Sequence, residues 1–195
     1  MSLSFEERLN LILPRIRSDD FLSSKGLGNE IGFWIFDYPP ERESEMRDFL
    51  ENTVLPALNK AQPPIRAAHL NLFELITSQL EERGLLDKVF EMQQSKGDDA
   101  LLAALRPVLK EDKLAQKIVE QIDLPQIEML MISGVGSAYP MLRTHTLLSA
   151  LHPLMGETPL LMFFPGTYDG YSLKLFNKLS EDHYYRAFRL VPDSL

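Results

Sequence analysis

The spacing of apolar positions changes several times along the chain, and each change marks an element. Phe5, Leu9, Ile12, Leu13 and Ile16 recur every three or four residues, the signature of one helix face. Ser4 and Glu7 stand where a capping box would open that helix, and Pro14 is expected to end or kink it. "SSKGLGNE" (23–30) has the composition of a loop. "IGFWIFDYPP", from Ile31 to Pro40, is a short apolar and aromatic run closed by two prolines, which predicts a buried strand ending near Asp37. "ERESEMRDFLENTVLPAL" then reads as a helix with acids in its first turn, where the helix dipole favours them. Met46, Phe49, Leu50, Val54 and Leu58 form its apolar side.

"IRAAHLNLFELI", from Ile65 to Ile76, predicts a second strand running into a helix that Gly84 would cap. From Leu85 to Ile122 the chain is helical and charged, broken at "SKGDD"; a helical insertion is expected over about 77–122. "IEMLMIS" (127–133) is a third strand, and "YPMLRTHTLLSALHPLM" a helix with Pro140 at its first position. "TPLLMFFPGTYDG" is a fourth strand with its exit loop, "YSLKLFNKL" a helix, and "YYRAFRLV" a last strand.

Strands alternating with helices mean βαβ units. The expected fold is a single α/β domain over 1–195. It has a mainly parallel central sheet of about five strands, with helices on both faces. Near-continuous apolar strands agree, because parallel strands are buried on both sides. Ligands of such sheets bind beyond the carboxyl ends of the strands. Those ends carry "FDYPP", "SGVGSAYP" and "PGTYDG".

Composition narrows the function classes. A net charge of -8 disfavours broad contact with a nucleic-acid backbone, so direct nucleic-acid binding is not expected. The chain has no cysteine, which excludes disulfides, thiolate zinc sites and a thiol nucleophile. Charges interrupt every apolar stretch of the first eighteen residues, unlike a signal peptide. No run approaches the ~18 apolar residues of a membrane span. A cytoplasmic protein without membrane contact is expected.

The strand-end loops hold the candidate chemistry. Gly134 and Gly136 begin a dinucleotide-like fingerprint, but Tyr139 stands where the third glycine belongs, and no Walker-type run occurs. Two readings stay open there. One is a strand-to-helix turn with glycines at positive φ. The other is an anion held by loop amides, helped by Arg143. His145 and His152 are seven residues apart, ~10 Å along a helix, too far to share a metal. His69 and His183 show no partner pattern, and Ser133 lacks the nucleophile-elbow glycines. Thr167, Tyr168 and Asp169 offer hydroxyls and a carboxylate at a strand end. Asp37 could meet Asp169 if the first and fourth strands are neighbours, and such paired carboxylates could bind Mg²⁺ or do acid–base work. A turn and capping role for Asp169 is the alternative.

Four stretches together, "FWIFDYPPERESEMRDFL", "SGVGSAYPMLRTHTLLSALH", "TPLLMFFPGTYDGYSLKLF" and "YYRAFRLV", resemble the BrxB family of bacteriophage-exclusion (BREX) defence systems. The resemblance runs from about Phe5 to Val191 and is weakest across residues 85–122. It implies a fold like a P-loop NTPase core that has lost its phosphate loop, and a non-enzymatic BREX component with no cofactor. The implied partners are the alkaline-phosphatase-like protein PglZ directly, and possible further subunits such as the methyltransferase PglX. The family carries over no catalytic residue. The candidate ligand or partner loop is Asp37, Tyr38, Gly134, Gly136, Tyr139, Arg143, His145, Thr167, Tyr168 and Asp169. A ligand-binding or phosphoester-processing module built on those loops is the competing expectation.

Overall fold

Ser4 and Glu7 do form a reciprocal capping box, and it opens α1 (Phe5–Ile16). The computed structural model describes residues 3–22, 32–180 and 187–194; the loop expected at 23–30, His183 and the start of the expected last strand lie outside them. Helix α1 runs through Pro14 rather than ending there. Ile12 and Ile16 on either side of it are fully buried, and that burial offsets the hydrogen bond the proline removes.

A short helix α2 (Asp19–Leu22) precedes strand β1 (Phe33–Tyr38). The chain then stays helical through α3 (Glu43–Phe49), a π-helical turn (Leu50–Val54) and α4 (Leu55–Asn59). The wide turn lies just before Pro56, whose missing N–H would interrupt a regular α-helical ladder. Strand β2 (Ala67–Asn71) leads into α5 (Leu72–Glu82), which ends at Gly84 with φ +61°. Three more helices follow: α6 (Leu86–Lys96), α7 (Asp98–Leu105) and α8 (Glu111–Gln121). Then come β3 (Met129–Ser133), a single helical turn α9 (Val135–Ala138), α10 (Thr144–Leu151) and β4 (Leu160–Tyr168). Short strands β5 (Leu173–Leu175), β6 (Leu179–Ser180) and β7 (Phe188–Arg189) complete the described chain.

The main sheet has the order β2-β3-β4-β1-β7, with every neighbouring pair parallel. One apolar layer joins the sheet to α5, α8 and α10 through Leu75, Ile76, Ile118, Leu147 and Leu151. The other joins it to α1, α3 and α4 through Ile12, Ile16, Met46, Val54 and Leu58. Strand β1 feeds both: Phe33 and Ile35 enter the first layer, Phe36 and Tyr38 the second. Burial on both sides is what its unbroken apolar run required. Helix α6 is different, because none of its residues is buried.

Two sequence expectations are corrected. "YSLKLFNKL" is not a helix. It forms β5, a tight turn and β6, with β5 antiparallel to the end of β4. Leu173 and Leu175 are buried and Lys174 between them is exposed, a period of two, and Phe176 and Asn177 turn the chain at φ +53° and +58°. Apolar residues three and four apart, Leu173–Phe176 and Leu175–Leu179, mimic a helical period. Pro140 does not start a helix either. It follows a cis bond from Tyr139 in a turn between α9 and α10, and α10 begins at Thr144.

Candidate functional site

Strands β1 and β4 are adjacent and parallel, and ligands of parallel sheets usually sit beyond the carboxyl ends of such strands. Here that space is occupied by the protein's own side chains. Asp37, buried near the end of β1, accepts from the Arg8 guanidinium at 2.7 Å and from the Tyr168 amide at 2.9 Å. Arg189 on β7 approaches its other oxygen at 3.4 Å. Arg8 also donates to the Val191 carbonyl and stacks over Phe36, 5.0 Å from the ring centre. Two arginines thus neutralise a carboxylate that burial alone would penalise heavily.

Asp37 and Asp169 do not meet, although β1 and β4 are neighbours as that expectation required. The Asp169 carboxylate folds back on its own turn. It accepts from the Tyr171 and Ser172 amides at 2.8 and 2.7 Å and from the Ser172 hydroxyl at 2.9 Å. Those bonds, the Ser172 amide first, hold it below the usual carboxylate range. The turn role is the one observed. Among the described residues, no group of three His, Asp or Glu side chains is placed to hold a metal.

Tyr38 and Tyr168 are buried. The Tyr38 hydroxyl donates to Glu43; burial, then the Glu43 charge, push it far above the usual tyrosine value. The Tyr168 hydroxyl donates to the Ala187 carbonyl at 2.8 Å. Both phenols anchor the strand ends. Thr167 is exposed and donates to the Asn177 side chain across the β5–β6 turn.

The glycine loop after β3 is a packed corner. Gly134 adopts φ +72°, and a Cβ there would lie 2.2 Å from the Asn71 side-chain oxygen. That oxygen caps α5 by accepting from the Phe73 and Glu74 amides, so the corner and the cap share one space. A Cβ on Gly136 would come within 2.9 Å of the Phe176 ring and 3.0 Å of Pro165. The Tyr139 ring meets Phe176 edge-on at 6.2 Å. Gly166 lets β5 approach, because a Cβ there would sit 2.2 Å from the Lys174 carbonyl. The blocks "GVGSAYP" and "FPGTYDG" are therefore two halves of one packed unit.

Arg143 lies outside that corner. It is exposed at the N-cap of α10, and its guanidinium makes no hydrogen bond or ion pair with the described residues. His145 is half-buried on α10, while His152 is exposed just beyond it, edge-on to Phe33. Besides Arg8 and Arg189, the partners of Asp37, the sequence reading missed one further pair. His69 Nε2 lies 2.8 Å from the Ser133 hydroxyl, across neighbouring strands β2 and β3. Burial lowers the His69 pKa, against the opposing charges of Glu74 and Glu51. The two residues are far apart in sequence, so only strand adjacency reveals them.

Beside the corner, Thr167, Asp169, Ser172, Lys174, Asn177 and Ser180 line a half-open polar cavity of about 430 Å³. Thr167, Lys174 and Ser180 are cross-strand partners on one face of the β4–β5–β6 hairpins.

The family model described as "BREX protein BrxB" matches residues 68–190, which take in the glycine corner, the hairpins and β7. The chain belongs to the BrxB family. A BrxB protein of Escherichia coli O9:H4 (strain HS) is 43% identical over 97% of this chain and 92% of its own length. One from Bacillus cereus (strain H3081.97) is 42% identical over 95% of this chain and 96% of its own. Both carry the name "BREX protein BrxB". No solved structure matches this BrxB chain. Among the described residues, no helix is long and apolar enough to cross a membrane.

Proposed function

We propose that this protein is a non-enzymatic subunit of a BREX bacteriophage-defence system. It binds the PglZ-like subunit and helps assemble the methylation and restriction machinery in the cytoplasm. Family membership over nearly the whole chain carries the BREX assignment. The filled space beyond β1 and β4 supports a binding role over a catalytic one. Asp37, Arg8, Arg189 and Tyr168 satisfy one another where ligands of parallel sheets usually sit. The test is co-elution of the purified protein with its cognate PglZ over a range of salt concentrations. Separate elution at every salt concentration refutes the proposed partner.

A second reading rests on the polar cavity beside Lys174. It makes the protein a receptor for a small phosphate-bearing ligand. Thermal shift against nucleotides and phosphoesters tests it, since a ligand at 100 times its Kd stabilises by about 2.7 kcal/mol. An unchanged melting temperature at millimolar ligand refutes it.

A further inference from the structure

Five large hydrophobic side chains are strongly exposed among the described residues: Phe73 (41%), Phe90 (58%), Tyr139 (38%), Tyr171 (67%) and Leu179 (39%). All but Phe90 gather at the carboxyl end of the sheet. Phe73 follows the end of β2, Tyr139 follows β3 and α9, and Tyr171 caps the turn after β4. Leu179 lies on β6, the outer strand of the hairpins that extend β4. The corner beneath them is closely packed: Tyr139 meets Phe176 edge-on, and Gly136 has no room for a Cβ beside Phe176 and Pro165. Exposed aromatics on a preorganised base are the composition of interface anchors.

The charge along residues 129–179 is unlike that of the rest of the chain, although the same end of the sheet also carries Glu74 beside Phe73 and Glu41 after β1. Between Glu128 and Ser180 the only acidic residues are Glu157 and Asp169, in a protein of net charge -8. Glu157 precedes β4, at the opposite end of the sheet, and the Asp169 carboxylate is taken by its own turn. Arg143, Lys174 and Lys178 are exposed, and their charged groups make no ion pair or hydrogen bond with the described residues. Exposed cations without an ion pair to a described residue, such as Lys88 and Arg106, also occur elsewhere; what distinguishes these three is the acid-poor stretch of chain that carries them.

We propose that the carboxyl-end face, with Tyr139, Tyr171, Phe73 and Leu179 as anchors and Arg143, Lys174 and Lys178 as cations, docks an acidic segment of a partner protein. This rests on the subunit reading above and adds which surface is used and what the partner brings. Unpaired cations in an acid-poor field are complementary to aspartates and glutamates, while the aromatics bury apolar side chains between those acids. A nucleic acid fits less well. Three cations fall short of the 6–10 phosphate contacts of a typical duplex binder, and the remaining surface of an acidic protein repels the strand.

The test measures binding of immobilised cognate PglZ to wild type and three variants: Arg143→Glu/Lys174→Glu/Lys178→Glu, Tyr171→Ala, and a control, Lys88→Glu/Phe90→Ala on α6. Unchanged melting temperatures establish that each variant folds, and Tyr171→Ala decides the question if the triple variant does not. The triple variant and Tyr171→Ala should each weaken binding roughly tenfold or more, the former mainly through a slower on-rate, with the control unchanged. Full affinity in both face variants overturns the proposal and leaves the subunit reading standing, as does loss in the control alone. Retention of single-stranded DNA that the triple variant abolishes, with PglZ binding intact, overturns it in favour of nucleic acid. Failure of wild type to bind PglZ, PglX or any other BREX subunit overturns both readings.

Discussion

The Arg8 guanidinium and the Asp37 carboxylate meet at 2.7 Å, with side chains only 9% and 5% exposed. Helix α1 is thereby fixed to the carboxyl end of β1. Removing one member of a buried pair leaves the other charge without its partner, which costs more than the pair's net worth. Asp37→Ala, which leaves Arg8 and Arg189 facing each other, should destabilise the fold by about 3–5 kcal/mol. The double variant Arg8→Met/Asp37→Leu should lose clearly less than the sum of the single changes. Urea denaturation of wild type, Asp37→Ala, Arg8→Met, Asp37→Leu and the double variant decides it, and a wild-type midpoint for Asp37→Ala would show that the pair does not hold α1 to β1.

Gly134 combines positive φ with a neighbour that cannot be ignored, the Asn71 cap. Gly134→Val should cost about 2–3 kcal/mol, since it adds backbone strain to a displaced cap. Asn71→Ala alone should cost about 1 kcal/mol. In the Asn71→Ala background Gly134→Ala should be milder than in wild type, because the oxygen it would strike is gone. Thermal melts of that double-mutant cycle measure the coupling.

Gly166 is constrained by backbone rather than by φ. A methyl there meets the Lys174 carbonyl, and β5 has to leave β4. Gly166→Ala is therefore expected to cost about 1–3 kcal/mol and to unprotect the Lys174 and Leu175 amides in hydrogen exchange, while protection in β2 and β3 stays high. Uniform loss of protection would contradict a local effect.

His69 sets a pH dependence. Burial holds its pKa in the folded state below the ordinary value of 6.5. The unfolded chain therefore binds the proton more readily, and stability falls as pH drops below about 6.5, until the folded-state pKa is passed. His69→Gln should flatten the melting-temperature profile between about pH 5 and pH 7, at some loss of stability near pH 7 from the altered contact to Ser133. An equally steep acid slope in the variant would assign the effect to other groups.

Local signals were readable wherever the deciding partner is close in sequence. The Ser4–Glu7 box, the Gly84 cap and the apolar runs of β1, β3 and β4 were all legible, and so was a mainly parallel sheet buried on both sides. Reading failed where tertiary contacts choose between equal local options. Residues 171–179 have apolar residues spaced for a helix (Leu173–Phe176, Leu175–Leu179), but the edge of β4 and the space at Gly166 draw them into a hairpin. The site residues divided in the same way. Asp37 was singled out without its true partners, Arg8 and Arg189, because no local pattern links α1, β1 and β7. Of the two readings of Asp169, the turn role already written in its aspartate-glycine pair is the one observed, and the pairing with Asp37 is not.

The central position of β1 has a consequence for synthesis. Its neighbours are β4 and β7, made long after it, so "FWIFDY" leaves the ribosome with no strand to pair with until Leu160 and the residues beyond it follow. Throughout that interval the most aromatic strand of the main sheet is an unpaired apolar edge, the kind of segment that aggregates or recruits a chaperone. Premature termination anywhere between β1 and β4 would release a chain that cannot close its sheet. Soluble yield should therefore depend on how quickly translation passes through the middle of the message.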